Sequence, residues 1–455
     1  MPAKEKKLPV IGVSTLGCPK NLVDTENMIG ILHGAGYQIT SDHNKADISL
    51  VNTCTFIEGS TNESLDVLTE LADQGQKLII TGCMAQRYKG DLFEGLPEAQ
   101  AVVGTGNVKD ILSVVKEVTR NINSGKDSKI IKVDEVPMSV AGADTPRIHT
   151  QIGPSVYLKI AEGCDHRCAF CIIPHLRGDM KSRSIEDIVK EAQTLVAGGA
   201  KEIVLVSQDS TAYGTDIYKR RALADLLRAL AEKSGAPWIR LMYAYPTEMD
   251  REMLEVIAAY DNIVKYIDIP LQHASRKVLL SMRRPPTVRD TVELIRSVIP
   301  SACIRTTFIS GFPGETDADH QELFDFIQES RFDRVGVFTY SQEEGTPAGS
   351  FDEQVVAELK TARRDQLMQL QQQISLEKNQ DYLGATLKVL VEHLEELPDG
   401  SYRAVARSFR DAPEIDGQVY INLANDEIHP APGEFIDITI NACDEYDLFG
   451  VFKSV

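Results

Sequence analysis

The sequence contains no long apolar run. Nothing in its 455 residues approaches the ~18 consecutive apolar residues of a membrane span, so no membrane partner is expected. The opening MPAKEKKLPVIGVSTLGC sets basic residues before an apolar patch, as a signal peptide does. That patch is short and meets Ser, Thr and Gly at once, so it reads as a first strand, and the chain is expected in the cytoplasm. Cysteine is sparse. Eight cysteines in a long chain of that compartment argue against a disulfide framework and for metal ligands or catalytic groups. Positive charge is also short: 48 Lys and Arg face 67 Asp and Glu, for a net charge of -19. That balance suits a basic partner better than a phosphate backbone. What is present, 43% hydrophobic and 25% charged residues, is ordinary for globular protein, with room for about two to four domains.

Three patterns follow one another. In residues 1–145 short apolar runs alternate with helical stretches: strands at VIGVST (10–15), ADISLVNTC (46–54) and KLIITGC (77–83), and helices at 21–36 and 60–74. This alternation predicts a doubly wound parallel sheet. GADTPRIHTQIGPS (142–155) reads as a linker. Residues 146–362 repeat the rhythm about six times, which predicts a partial (β/α) barrel with its working residues at the carboxyl ends of strands. A Gln-rich helix at 363–380 links or braces domains. Residues 381–455 hold short β-branched stretches between turn signals and predict a small antiparallel β-barrel. From Asp381 to Val455 there are 15 acidic and 5 basic residues, and 5 − 15 = -10. Nucleic-acid modules carry the opposite sign, so this segment is expected to dock a basic protein, the alternative being a solubilising surface.

The cysteines sort into two sets. Cys18, Cys54 and Cys83 each follow a different predicted strand, two of them directly after glycine. Ligands of open α/β sheets bind outside the carboxyl ends of strands, so these three are expected to converge on one ligated site. The alternative is three buried small hydrophobes. The second set is GCDHRCAFC (163–171), which carries Cys164, Cys168 and Cys171 and has no fourth cysteine nearby. A structural zinc site would need His166 or His175 as its fourth ligand, and no second knuckle is present. A [4Fe–4S] cluster on three thiolates keeps one iron open. S-adenosylmethionine can occupy that iron, and electron transfer then releases a 5′-deoxyadenosyl radical.

At this point the chain resembles the radical S-adenosylmethionine superfamily. Over its whole length it is similar to the methylthiotransferase family, whose C-terminal barrel is called a TRAM domain. STLGCPKNLVDTE (14–26), AEGCDHRCAFCIIPHLRG (161–178) and RSFRDAPEIDGQVYI (407–421) resemble the branch that modifies a ribosomal protein. The resemblance implies two [4Fe–4S] clusters, with Cys18, Cys54 and Cys83 holding the second, and S-adenosylmethionine as both methyl donor and radical source. It implies methylthiolation of an aspartate β-carbon in the twelfth small-subunit ribosomal protein, free or within the subunit. It also implies an external electron donor and no stable tRNA binding. In that family the aromatic before the last cysteine, here Phe170, packs near the adenine. Gln208, Arg305 and Gly311 are further candidates for the cofactor, as are Gln272, His273, Glu315 and Tyr340 at other strand ends. Arg177 and Arg183 are candidates for a substrate carboxylate. Cys303 and Cys443 lie in apolar strands and read as core. The alternatives are the same chemistry on tRNA adenosine, and a non-enzymatic scaffold with zinc at both cysteine sets.

Overall fold

Strands buried at every position leave neither face in water, and the central strands of the first sheet, Ile48–Thr53, Leu78–Gly82 and Ala99–Val103, are of that kind. The computed structural model describes residues 8–135, 140–423 and 429–452. It divides into two compact units: Met1–Thr150 with Lys159–Arg167 and Cys171–Ile188, and Gln151–Leu158 with Cys168–Phe170 and Val189–Val455. Among the described residues no helix is long and apolar enough to cross a membrane.

The first unit holds six parallel strands: β1 (Val10–Thr15), β2 (Gln38–Thr40), β3 (Ile48–Thr53), β4 (Leu78–Gly82), β5 (Ala99–Val103) and β6 (Ile130–Lys132). Their order is β2-β1-β3-β4-β5-β6. Alternate residues feed opposite cores. Leu50, Ile79 and Val103 pack with helices Pro19–Gly34 and Ile111–Asn123, while Val51, Ile80 and Val102 pack with Glu58–Asp73 and Cys83–Tyr88. The strand order reverses beside β1, so the carboxyl ends of β1 and β3 flank the crevice where this fold class binds ligands. The 142–155 stretch, read as a linker, is not loose at its start. Buried Glu26 accepts from Arg147 Nε at 2.9 Å and from the Thr150 N–H at 2.8 Å, and the Ala143 N–H donates to Asp187 at 2.9 Å.

The second unit holds β7 (Ser155–Lys159), β8 (Glu202–Val206), β9 (Trp238–Leu241), β10 (Tyr266–Asp268), β11 (Cys303–Ser310) and β12 (Arg334–Thr339). They form sheets β9-β8-β7 and β10-β11-β12, joined by the bridge of Ile239 to Ile263. This is the partial barrel expected from the rhythm. The following helix runs Ala357–Gln380, six residues earlier than the expected start at 363. Ala357–Ala362 are mostly strong helix formers, and Leu367, Gln371 and Ile374 give the helix a buried side.

Five strands, β13 (Thr386–Glu396), β14 (Tyr402–Ser408), β15 (Val419–Leu423), β16 (Phe435–Cys443) and β17 (Leu448–Phe452), close a barrel in the order β13-β14-β15-β17-β16. All neighbours are antiparallel except β15 and β17, which run parallel. The segment from Arg407 to Asp416 plugs the amino end of the partial barrel. Arg407 donates to Ser155 and Glu202 at 2.6 Å each, the first residues of β7 and β8. Arg240 of β9 donates to the Phe409 carbonyl at 2.9 Å. Tyr266, Cys303 and Arg334, the first residues of β10, β11 and β12, bond Asp416 at 2.6 Å, the Arg410 carbonyl at 3.3 Å and Asp411 at 2.7 Å.

Candidate functional site: two three-cysteine sets

The first set is built by turns at three adjacent strand ends. After β1 the chain passes through Gly17 at φ +88° into Cys18, which precedes Pro19 at the start of its helix. A Cβ at position 17 would stand 2.7 Å from Cys54 Cβ and 2.9 Å from its Sγ, so only glycine lets these two turns meet. Asn21 staples them: its Nδ2 donates to the Leu16 carbonyl at 2.9 Å and the Thr53 carbonyl at 3.0 Å. Ser64 Oγ accepts from the Cys54 N–H at 3.0 Å and donates to the Cys54 carbonyl at 2.8 Å. Cys83 opens the helix that follows β4.

Buried charge surrounds this set. Arg177 Nη2 donates to Cys83 Sγ at 3.6 Å and to Asn21 Oδ1, while its Nη1 donates to Asp24 at 2.8 Å and Glu162 at 3.1 Å. Lys159 meets the same two carboxylates, Glu162 at 2.7 Å and Asp24 closer still. Burial pushes the Cys83 thiol up to about 12, against the pull of Arg177. Burial also raises Cys54. At Cys18 burial acts in the same direction, but Lys20, Arg177 and backbone N–H donors outweigh it and the thiol is lowered.

Among the described residues no three His, Cys, Asp or Glu side chains are grouped to hold one metal ion. A cluster has a different requirement, because each thiolate binds its own iron. An all-thiol donor set, a turn left open by glycine and a cation at one sulfur fit that requirement.

Of the second set, Cys164 and Cys171 belong to the first unit and Cys168 to the second. In the first, Gly163 has φ +82°, and a Cβ there would collide with the Asp179 carbonyl. The Cys164 N–H donates to the Gly178 carbonyl at 3.0 Å, beside a short antiparallel pair, Ala161–Glu162 with Lys181–Ser182. His166 is half-buried and His175 exposed. In the second unit, the Ala169 N–H donates to the Met282 carbonyl at 2.9 Å, and the Ala348 N–H donates to the Ala169 carbonyl at 2.8 Å. Phe170 packs beside Phe312 and Tyr340. Arg284 donates to Cys168 Sγ at 3.7 Å and to the Pro270 carbonyl at 2.5 Å, and lies 4.1 Å from the Tyr245 ring centre.

The other candidates fall in separate places. Gln208 is half-buried just past β8. Gly311 follows β11, and its N–H donates to Glu315 at 2.7 Å. Glu315 also takes Arg363 at 2.9 Å and faces buried His273 at 3.5 Å. Gln272 holds φ +74°, and Tyr340 follows β12. Arg305 sits at the other end of the barrel, on Asp268 at 2.7 Å and Asp416 at 3.6 Å. Arg183 is buried on the Lys159 carbonyl at 2.7 Å and Asp187 at 2.7 Å. Arg177 and Arg183 are therefore neither solvated loop residues nor open to a substrate. Cys303 is core, and Cys443 packs against the small barrel's core. Sequence reasoning missed Arg284. Its signal, two arginines before two prolines in MRRPP (282–286), names no partner.

Three family models match parts of the chain: the radical SAM superfamily over residues 158–327, the uncharacterized protein family UPF0004 over 10–104, and the TRAM domain over 383–452. The chain is 48% identical over 445 residues to the ribosomal protein uS12 methylthiotransferase RimO of Nostoc sp. (strain PCC 7120 / SAG 25.82 / UTEX 2576), covering 97% of this chain and 98% of that one. It is 47% identical over 451 residues to the protein of the same name from Thermosynechococcus vestitus, covering 98% of each. Its fold resembles the radical S-adenosylmethionine methyltransferase TsrM of Kitasatospora setae, at a TM-score of 0.55 and 14% identity over 75% of this chain and 77% of that one.

Proposed function

This chain belongs to the ribosomal protein uS12 methylthiotransferase RimO family, and we propose that its two three-cysteine sets divide the work of adding a methylthio group to that ribosomal protein. It is an enzyme that uses S-adenosylmethionine and two [4Fe–4S] clusters. In this reading Cys164, Cys168 and Cys171 hold the cluster that meets S-adenosylmethionine, and Cys18, Cys54 and Cys83 hold the second. The first supplies, when loaded, the radical that an unactivated aspartate β-C–H bond requires. The observation that carries the reading is the sharing of Arg177 between Cys83 and the helix that follows Cys171.

The chain's own residues orient and enclose. Ala169, held from both sides, fixes the loop between Cys168 and Cys171, and Phe170 lies over the apolar wall formed by Phe312 and Tyr340. Gln208 and Gly311, at carboxyl ends of barrel strands, face the cofactor's side of the fold. Arg305 and the Arg407–Asp416 plug belong to the opposite end.

The small barrel receives the basic substrate. Asp411 and Asp416 are spent on the plug, and Glu392 on Arg407, so docking falls to exposed carboxylates such as Asp381, Glu396 and Asp437. Asp426 and Glu427 lie outside the described residues. Electrons come from an external donor, and the reaction belongs to the cytoplasm, on uS12 free or within the small subunit.

The test offers anaerobically reconstituted enzyme both uS12 and tRNA, and follows a methylthio mass gain. The expected product is modified uS12 alone, and modification of tRNA alone would overturn the substrate reading. Cys18→Ala is expected to abolish methylthiolation while 5′-deoxyadenosine still forms. Intact methylthiolation in that variant would remove Cys18, Cys54 and Cys83 from the second-cluster role.

A further inference from the structure

The helix Ile173–Arg177 begins two residues after Cys171 and ends on an arginine that is only 2% exposed. Three contacts lock it to the other cysteine set. Ile172 and Leu176 pack on Cys83, Thr105 Oγ1 donates to the Leu176 carbonyl at 2.7 Å, and Arg177 Nη2 reaches Cys83 Sγ at 3.6 Å. The two edges of the guanidinium face different partners. Nη1 meets Asp24 and Glu162, while Nη2 meets Asn21 and Cys83. Lys159 contacts the same two carboxylates, so they have a second cation of their own. The Nη2 edge is left for Asn21 and the sulfur. Lysine, a point charge with no fork, could not serve both sides.

We propose that Arg177 is a positioning residue for the second cluster, setting its reduction potential through Cys83 and tying the Cys171 loop to it. The inference rests on the assignment of that cluster to Cys18, Cys54 and Cys83. Reduction adds negative charge to a cluster, and a cation hydrogen-bonded to a ligating sulfur stabilises the added charge. Arg177 therefore raises the potential, and its loss lowers it. The same contact makes the position of the Cys171 loop depend on the state of Cys83.

The experiment uses the full chain with Cys164, Cys168 and Cys171 all changed to Ala, reconstituted anaerobically and titrated electrochemically with electron paramagnetic resonance detection. This parent is expected to bind one cluster's iron, and a parent without iron overturns the cluster assignment and the inference with it. In that background Arg177→Gln is expected to shift the reduction equilibrium tenfold towards the oxidised form, about 59 mV for one electron. Arg177→Lys, which keeps the charge beside Asp24 and Glu162 but loses the fork, is expected to shift it the same way by less. An unchanged midpoint in Arg177→Gln refutes the proposal. If Arg177→Gln does not fold, Arg177→Lys decides: a lowered midpoint supports the role and the parent's midpoint refutes it.

Discussion

At the scale of single residues, two glycines and one arginine do the positioning around the cysteines. Gly17 holds a backbone angle that L side chains resist by ~1–2 kcal/mol, and it faces Cys54 Sγ directly. Gly17→Ala is therefore expected to lower the melting temperature and reduce the iron bound per chain, read by calorimetry and iron assay. A full iron complement would show that the turn relaxes freely. The six cysteines were legible because each of their signals is local: a strand end, a glycine, a fixed spacing. Arg177 was legible only as an arginine after a cysteine loop, since its partners Asp24, Asn21 and Cys83 lie 153, 156 and 94 positions away. No pattern in LRGDMKSR connects them. Arg305 misleads for the same reason. It sits on a barrel strand, but its partner Asp416 comes from a module more than a hundred residues downstream.

At the scale of elements, the Arg407–Asp416 segment behaves as a stopper made of charge. Glu202 lies between Arg240 at 2.7 Å and Arg407 at 2.6 Å. Burial alone would raise its carboxyl, but the two guanidiniums outweigh burial and hold it at about 2. A depressed acid stabilises the fold above its unfolded value near 4.5 and loses that contribution as pH falls towards 2. The shift corresponds to about 3 kcal/mol. Glu202→Gln is expected to flatten the acid limb of a stability–pH profile measured by denaturant melts between those limits. An unchanged acid limb would mean that other carboxylates govern it. Arg407→Ala is expected to cost about 3–5 kcal/mol at neutral pH, because it strips one cation from a buried carboxylate. The sequence marked this stretch as a family word and said nothing of its task. The strands around it were legible from β-branched runs and turns, but the loop between them carries no periodicity, and the bonds that seat it on the strand bases are all long-range.

At the scale of the whole molecule, charge is spread unevenly, and part of it is internal. The -10 of the last segment overstates what a partner meets, since Glu392, Asp411 and Asp416 are tied to arginines. Changing Asp381, Glu396 and Asp437 together to Lys is expected to raise the KM for uS12 about tenfold at low salt. The salt dependence should flatten while kcat holds, because rim charges steer association more than they set chemistry. A KM that does not move would assign docking to another surface. The order of the three segments was legible because the apolar period changes from one to the next. The interleaving of the two units was not. Residues 151–158 and 168–170 leave one unit for the other within a few positions, and only packing reveals such a crossing. The stopper has a last consequence for exchange between relatives. If the small barrel docks the substrate as proposed, a docking module that also seals the floor of the barrel cannot be swapped alone. A chimaera with a tRNA-type C-terminal barrel would leave Ser155, Glu202, Arg240, Tyr266, Cys303 and Arg334 facing the wrong loop, so specificity here is inherited together with the strand bases that receive it.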